Sequence, residues 1–299
     1  MTVPLHRPER LDFLCLRFTA QAQNGFQLEN PFSDLHGGFG LMLHAHAPLV
    51  FRELFAEQSD SGMVRGYVLR PGAELMAPVA ENGVFSFDLT LYGVAVRYAA
   101  ACMECLGQLG VNGLTRARHH YRVEQIVRCS PASLDPVWTP ESGWQIGHLA
   151  PVSAHEILQT PFAAERWRLQ IHTPLILKSK NVVMRYAPQG WQFLDRLFGR
   201  AQLLATQQSG DLLLDKAAKQ ALWEAADQVK LTNDQTDWQP CSRHSAKKPD
   251  RNDFGGLTGH FEMAGLPEIL GGWLNLMPWL HVGSKTGFGL GHCEAMALD

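Results

Sequence analysis

A glycine-rich segment near the C-terminus has the residue types needed to hold an anion. Residues 281–292 read HVGSKTGFGLGH, with four glycines around a single lysine. Glycine lets backbone amides approach an anion closely, and a lysine adds a positive charge. A purely structural turn explains the glycines alone equally well. The predicted anion contacts are Gly283, Ser284, Lys285, Thr286, Gly287, Gly289 and Gly291.

The segment does not match the common nucleotide-binding loops. A Walker A loop requires a glycine directly before the lysine, a strand before the loop and a helix after it. Here Ser284 precedes Lys285, a predicted helix comes before the segment and a predicted strand follows it. The same order of elements excludes the dinucleotide-binding fingerprint.

Composition indicates a globular protein with enough apolar material for two domains. The chain has 299 residues, of which 45% are hydrophobic and 18% are charged. Six cysteines show no framework spacing, and no apolar run approaches the roughly 20 residues that span a bilayer. The first residues contain arginines but no apolar core of a secretion signal. We therefore expect a reduced, cytoplasmic protein.

Basic residues are segregated along the chain although the net charge is −3. A near-neutral protein with local basic patches can still follow a phosphate backbone, and solvated surface is the simpler alternative. Three clusters stand out: Arg166, Arg168, Lys178, Lys180, Arg185, Arg196 and Arg200; Arg116, Arg118, Arg122 and Arg128; and Arg243, Lys247, Lys248 and Arg251.

Hydrophobic periodicity predicts the same order of elements in each half of the chain. The first half is predicted as strand 10–21, a helix from Ser33 or Asp34 towards Pro48, strands 63–71 and 84–96, a helix from Val94 to about Gly110 or Gly113, and strand 116–127. The second half is predicted as strands within 166–184, helices 191–205 and 212–229, strand 257–263, helix 266–280 and strand 293–298.

This order predicts an α+β fold of two tandem ferredoxin-like domains. Each domain has an antiparallel sheet with helices on one face. The predicted boundaries are residues 1–130 and 164–299. Residues 131–163 are rich in proline, serine and glycine, and are predicted to be linker and irregular structure.

Residues 253–296 resemble the C-terminal signature of the CRISPR-associated repeat-processing endoribonucleases of the RAMP superfamily. In that family a GG-x-x-G strand leads into a helix, a glycine-rich loop with a lysine, and a last strand. Gly255, Gly256 and Gly259 match the strand motif here, while the serine before Lys285 is a departure. The resemblance implies two RAMP (RRM-like) modules that bind a CRISPR repeat RNA hairpin and cut it without a metal ion or other cofactor.

Metal-free RNA cleavage uses the 2′-hydroxyl as nucleophile and leaves a 2′,3′-cyclic phosphate. It needs a base, an acid and positive charge near the phosphate. In the family a histidine in or just after the first helix often serves, assisted by a tyrosine or lysine, which implicates His36, His44 and His46. His46 falls on the apolar stripe of the helix and is predicted to be a core residue. His44 points nearly opposite and His36 lies beside two glycines, so these two are equal candidates.

The resemblance also implies basic contacts to the RNA. We expect Arg243, Lys247, Lys248 and Arg251 to grip its backbone, with Arg116 and Arg118 as further contacts or as alternative sources of charge stabilisation.

Two functions of different classes are the main alternatives at the level of sequence. One is the repeat-processing endoribonuclease. The other is a non-catalytic RAMP subunit that coats the guide RNA together with other subunits of a CRISPR effector complex. A third, an unrelated ferredoxin-like protein that binds small anions, is disfavoured by the paired glycine strand and the terminal glycine-rich segment. A metal site is not predicted, because the Cys102–Cys105 pair lies mid-helix without a second pair and is better explained by core packing.

Overall fold

The computed structural model describes residues 11–56, 64–209, 214–241 and 255–298. The chain divides into two compact units. The N-terminal unit is Asp12–Val152, and the C-terminal unit contains Leu11 and the described residues of Ser153–Asp299.

The N-terminal unit has the predicted order of elements. Its sheet is antiparallel with strand order β2-β3-β1-β4-β5-β6, and β1 also pairs with β7. The elements are β1 (Asp12–Ala22), α1 (Pro31–His46), α2 (Pro48–Phe51), a π-helical turn (Arg52–Ala56), β2 (Tyr67–Pro71), β3 (Val84–Tyr92), α3 (Ala99–Asn112), β4 (Tyr121–Cys129), β5 (Leu134–Thr139), β6 (Gly143–Trp144) and β7 (Val152–Ser153).

Local sequence explains the position of α1, which carries the candidate histidines. The Asn30 side chain caps the helix by accepting a hydrogen bond from the Ser33 amide, and Pro31 occupies the first turn. The helix ends at His46 because Pro48 disfavours helical geometry at the residue before it. A Cβ on Gly38 would lie 2.8 Å from the Leu109 side chain, so this glycine allows α1 and α3 to pack closely.

The C-terminal unit repeats the arrangement with a four-stranded antiparallel sheet of order β11-β12-β8-β13. Two helices instead of one connect its first two sheet strands, as the sequence predicts. The elements are α4 (Ala154–Leu158), β8 (Arg166–Leu175), β9 (Lys178–Ser179), β10 (Val182–Val183), α5 (Gly190–Ser209), α6 (Lys216–Ala226), β11 (Lys230–Gln239), β12 (Gly256–Ala264), α7 (Glu268–Leu280) and β13 (Cys293–Leu298). The predicted fold class, two ferredoxin-like domains, is confirmed.

Several predicted strand limits were wrong. The strand predicted to reach residue 96 ends at Tyr92, because Gly93 has φ of 51° and begins a 3₁₀ turn. The strand predicted from residue 116 begins at Tyr121. A tight loop precedes it, closed by hydrogen bonds between Leu114 and His119, with left-handed backbone at Arg118.

Residues 131–163 contain more regular structure than predicted. Strand β5 pairs with β4 and extends the N-terminal sheet, and β6 pairs with β5. Strand β11 was not predicted from the sequence at all. It is an edge strand with no fully buried side chain, so it lacks the apolar alternation that identifies a half-buried strand.

Within the described parts of the chain, no helix combines the length and apolarity needed to cross a membrane. The six cysteine thiols are free, and five of them are buried. Cys102 and Cys105 lie in the hydrophobic core between α3 and the sheet, as the core-packing interpretation predicts.

Candidate functional site

His36, Arg65 and Tyr67 form a compact cluster in the N-terminal unit, which we call the polar triad. Nη1 of Arg65 lies 2.7 Å from Nε2 of His36 and donates to the Tyr67 hydroxyl at 2.6 Å. The same hydroxyl lies 2.8 Å from Nε2 of His36. His36 comes from the second turn of α1 and Tyr67 from the start of β2, so the packing of that helix beside the strand brings them together.

The polar triad has the charge and protonation pattern of a proton-transfer site. Arginine only donates hydrogen bonds, so Nε2 of His36 presents a lone pair to it in this arrangement. Burial raises the pKa of the Tyr67 phenol above its ordinary value, which keeps its hydroxyl protonated at neutral pH. The triad therefore combines a basic imidazole nitrogen, a fixed cation and a hydroxyl within 3 Å of one another.

The three candidate histidines have different environments. His36 is buried, with 5% exposure, although the sequence placed it on an accessible flank. His44 is exposed and contacts the Phe51 ring edge-on, with centroids 5.0 Å apart. The prediction that His46 is a core residue was wrong, because α1 ends at His46 and leaves its side chain exposed.

The glycine-rich segment, residues 281–292, forms a tight loop between α7 and β13, which we call the glycine loop. The Val282 amide donates to the Gly291 carbonyl at 2.9 Å and closes the base of the loop. A single 3₁₀ turn, Thr286–Phe288, lies inside it. Lys285 precedes this turn in a left-handed conformation with φ of 59°.

Two of the four glycines of the loop are required by the chain's own packing. A Cβ on Gly283 would lie 2.5 Å from the Ile176 carbonyl oxygen, and one on Gly291 would lie 1.9 Å from that of Val282. The amides of Ser284, Gly289 and Gly291 already donate to carbonyls of the C-terminal unit. In this conformation the loop's positive charge comes from Lys285, and those three amides serve the loop's own structure.

A histidine cluster beside the glycine loop was not identified from the sequence. The His172 and His292 rings lie 5.1 Å apart, and Nε2 of His172 is 3.2 Å from a carboxylate oxygen of Glu294. The His292 backbone bonds to Thr173, whose hydroxyl donates to the Gly289 carbonyl. These contacts fix the loop to β8.

Outside the glycine loop, the structure describes two of the six basic residues predicted to contact RNA. Arg116 and Arg118 are exposed on the turn before β4 and do not lie on the strand. Arg243, Lys247, Lys248 and Arg251 lie outside the described residues. Among the described residues, no group of three or more His, Cys, Asp or Glu side chains is arranged to hold a metal ion.

Two family models match this chain, and the first ends at residue 152, where the N-terminal compact unit also ends. A family model described as an N-terminal domain matches residues 11–152. The model of the CRISPR-associated endoribonuclease Cas6 matches residues 169–293. A search of curated proteins found no match.

Solved structures share the fold over nearly the whole chain. Thermus thermophilus Cas6 aligns with a TM-score of 0.61 and 16% identity, covering 96% of this chain and 99% of that one. A Cas6 product complex aligns with a TM-score of 0.64 and 16% identity, covering 95% and 99%. A partial Cas6-RT-Cas1–Cas2 complex aligns with a TM-score of 0.64 and 13% identity, covering 96% and 46%.

The family match falls on the segment that carries the glycine strand and most of the glycine loop, and the structural matches extend across both ferredoxin-like units. Residues 169–293 therefore resemble the CRISPR-associated endoribonuclease Cas6 in sequence, and the chain shares the fold of solved Cas6 structures along almost its full length.

Proposed function

We propose that this chain is a metal-independent endoribonuclease that binds CRISPR repeat RNA and cleaves precursor crRNA into guide RNA. The observation that carries the proposal is the polar triad of His36 on the first helix, Tyr67 at the start of the second strand and Arg65 two residues before it, in a Cas6-like fold. A solved structure of a Cas6 variant in which one histidine is replaced by alanine shares this fold, with a TM-score of 0.54.

The triad suits attack by the 2′-hydroxyl on the adjacent phosphate. Nε2 of His36 accepts the hydroxyl proton, and the Arg65 guanidinium balances the charge that builds up on the phosphate. In the structure the Tyr67 hydroxyl holds the imidazole through the same Nε2, 2.8 Å away, and it must release this nitrogen before the 2′-hydroxyl can bind there. The P–O5′ bond breaks, the departing 5′-oxygen takes up a proton from water, and the reaction leaves a 2′,3′-cyclic phosphate on one product and a 5′-hydroxyl on the other.

His36 is chosen over His44 and His46 because it contacts a cation and a hydroxyl. His44 and His46 remain the alternatives on the same helix, and their exposure would give RNA direct access to either of them. Arg65 in the proposed site must turn from His36 towards the phosphate when RNA binds. We therefore expect the hydrogen bond between Arg65 and His36 to be replaced in the RNA complex.

RNA binding is assigned to the glycine loop and to the basic segments. Lys285 supplies charge within the loop, and the other proposed contacts are Gly283, Ser284, Thr286, Gly287, Gly289, Gly291, Arg116, Arg118, Arg243, Lys247, Lys248 and Arg251.

Other CRISPR proteins are proposed partners as well, since a complex that contains Cas6, RT, Cas1 and Cas2 includes a part with this fold.

The Lys285→Ala substitution should weaken repeat-RNA binding and reduce the slope of log affinity against log salt by about 1. The loss of one phosphate contact causes both effects. Lys219→Ala is the matched control, because Lys219 is an exposed lysine on α6, outside the proposed site. An unchanged slope for Lys285→Ala in filter binding across a salt series would remove Lys285 from the interface.

The burial of His36 favours a second candidate, the non-catalytic RAMP subunit that holds guide RNA. Incubation of the protein with repeat RNA and with a shuffled RNA of equal length separates the two. A discrete cut in the repeat RNA alone supports the endoribonuclease. Tight binding without a cut supports the binding subunit, and failure to bind either RNA contradicts both.

A further inference from the structure

A continuous row of aromatic rings connects the surface of the N-terminal unit to the polar triad. Phe55 stacks on Tyr67 with centroids 5.1 Å apart, and Phe51 stacks on Phe55 at 5.4 Å and an interplanar angle of 15°. The Phe51 ring in turn meets exposed His44 edge-on. We call His44, Phe51, Phe55 and Tyr67 the aromatic ladder.

The inner end of the ladder is part of the proposed catalytic site. The Phe55 ring lies 5.0 Å from the His36 ring, and the Arg65 guanidinium carbon lies 5.3 Å from the Phe55 centroid. Phe51 is therefore separated from the imidazole and the guanidinium by the single ring of Phe55.

Ordinary core packing explains only part of the ladder. Phe39, on the same helix as His36, is fully buried and contacts Phe55 as a core residue. Phe51 and Phe55 are only partly buried, on the edge of that core. The segment that carries them contains a π-helical turn, Arg52–Ala56, a geometry that often occurs at functional sites.

Two exposed apolar side chains lie on the helices that carry the outer end of the ladder. Leu41 is 68% exposed on α1, and Leu49 is 66% exposed on α2, two residues before Phe51. A half-buried ring with exposed apolar neighbours suits the face of a nucleobase, which aromatic side chains bind by stacking when the nucleotide is single-stranded. Guanidinium groups above a ring add favourable charge for the attached phosphate.

We propose that the aromatic ladder binds an unpaired nucleobase on Phe51, in the nucleotide adjacent to the scissile phosphate. The inference rests on the proposed endoribonuclease function and deepens it. The base stacks on Phe51, which Phe55 supports from the inner side, and this stacking positions the neighbouring phosphate against Arg65 and His36. Stacking alone tolerates any base, so the ladder selects an unpaired nucleotide over a paired one.

The test uses repeat RNA in which 2-aminopurine, whose fluorescence is quenched by stacking, replaces one unpaired nucleotide at a time. We compare wild type with Phe51→Leu, which keeps apolar bulk but removes the ring, and with Phe51→Trp, which restores a ring. Phe162→Leu is the matched control, since Phe162 is a half-buried phenylalanine of the C-terminal unit. Thermal melting of each protein verifies folding.

We expect wild type to quench at one position, Phe51→Leu to lose the quench and Phe51→Trp to restore it. The Phe51→Leu single-turnover cleavage rate should fall by about 10- to 100-fold, the range for loss of one base stack. Quenching by folded Phe51→Leu equal to that of wild type, or no quench by wild type when RNA is bound, would overturn the inference. If wild type quenches the fluorescence at one position but does not cleave the RNA, the result would contradict the proposed function and still support base stacking on the aromatic ladder.

Discussion

Replacement of His36 by alanine is expected to reduce the single-turnover rate of repeat-RNA cleavage by at least about 100-fold. In the proposed mechanism the imidazole supplies a proton transfer, and general acid–base catalysis by a positioned side chain contributes about 10²- to 10⁴-fold. RNA affinity should stay within a few-fold of wild type, because His36 is buried and is not assigned a backbone contact. Rates are measured with excess enzyme, and binding is measured with RNA that carries a 2′-deoxy nucleotide at the cut.

Three further variants separate chemistry from structure. His36→Gln keeps a hydrogen-bonding side chain next to Arg65 and Tyr67, and should be as slow as His36→Ala while melting near the wild-type temperature. His44→Ala and His46→Ala remove exposed imidazoles from the same helix and should cleave at rates within about 10-fold of wild type. A normal rate for His36→Gln, or a large loss only for His44→Ala, would move the catalytic role away from His36.

Replacement of Gly291 by alanine is expected to lower the free energy of unfolding of the C-terminal unit by about 2–4 kcal/mol and to abolish tight RNA binding. Gly291 has φ of 74°, where a side chain costs roughly 1–2 kcal/mol. The new Cβ would also lie 1.9 Å from the Val282 carbonyl oxygen, so the base of the glycine loop must open. That movement breaks the hydrogen bonds of Gly291 with Val282 and Pro174.

The Gly199→Ala variant is the control for this effect. Gly199 lies inside α5, and nothing lies within 4 Å of a Cβ built on it. Alanine should therefore stabilise the helix by up to about 1 kcal/mol. Thermal melting followed by circular dichroism compares the two variants. A Gly291→Ala protein that melts and binds RNA like wild type would show that the loop's backbone geometry is not essential.

Periodicity predicted the fold well because most strands of both units have one buried face. β8 alternates buried and partly exposed residues along nearly its whole length, and the pattern identifies it without other information. β11 lies at the edge of its sheet with polar residues on both faces, so no such pattern exists. The turn at Arg116–Arg118 depends on a left-handed backbone that the residue types do not require.

The polar triad could not be assembled from local sequence alone. His36 was a candidate because of the family resemblance, whereas Arg65 and Tyr67 lie about 30 residues later, just before and at the start of the next strand. Their contact depends on how α1 packs beside β2. One signal was present, since alternate residues of a strand point to the same face and place Arg65 with Tyr67. The stacking of Phe51 on Phe55 could not be predicted either, because the sequence did not predict the π-helical turn that begins directly after Phe51.

The most direct test of the account is cleavage of repeat RNA in excess EDTA, with an RNA that carries a single 2′-deoxy nucleotide at the cut as the comparison. We predict one discrete cut in EDTA, a product ending in a 2′,3′-cyclic phosphate, and no cleavage of the 2′-deoxy RNA, because the 2′-hydroxyl is the proposed nucleophile. Loss of cleavage in EDTA that returns with added magnesium, or cleavage of the 2′-deoxy RNA at the same position, would contradict the account.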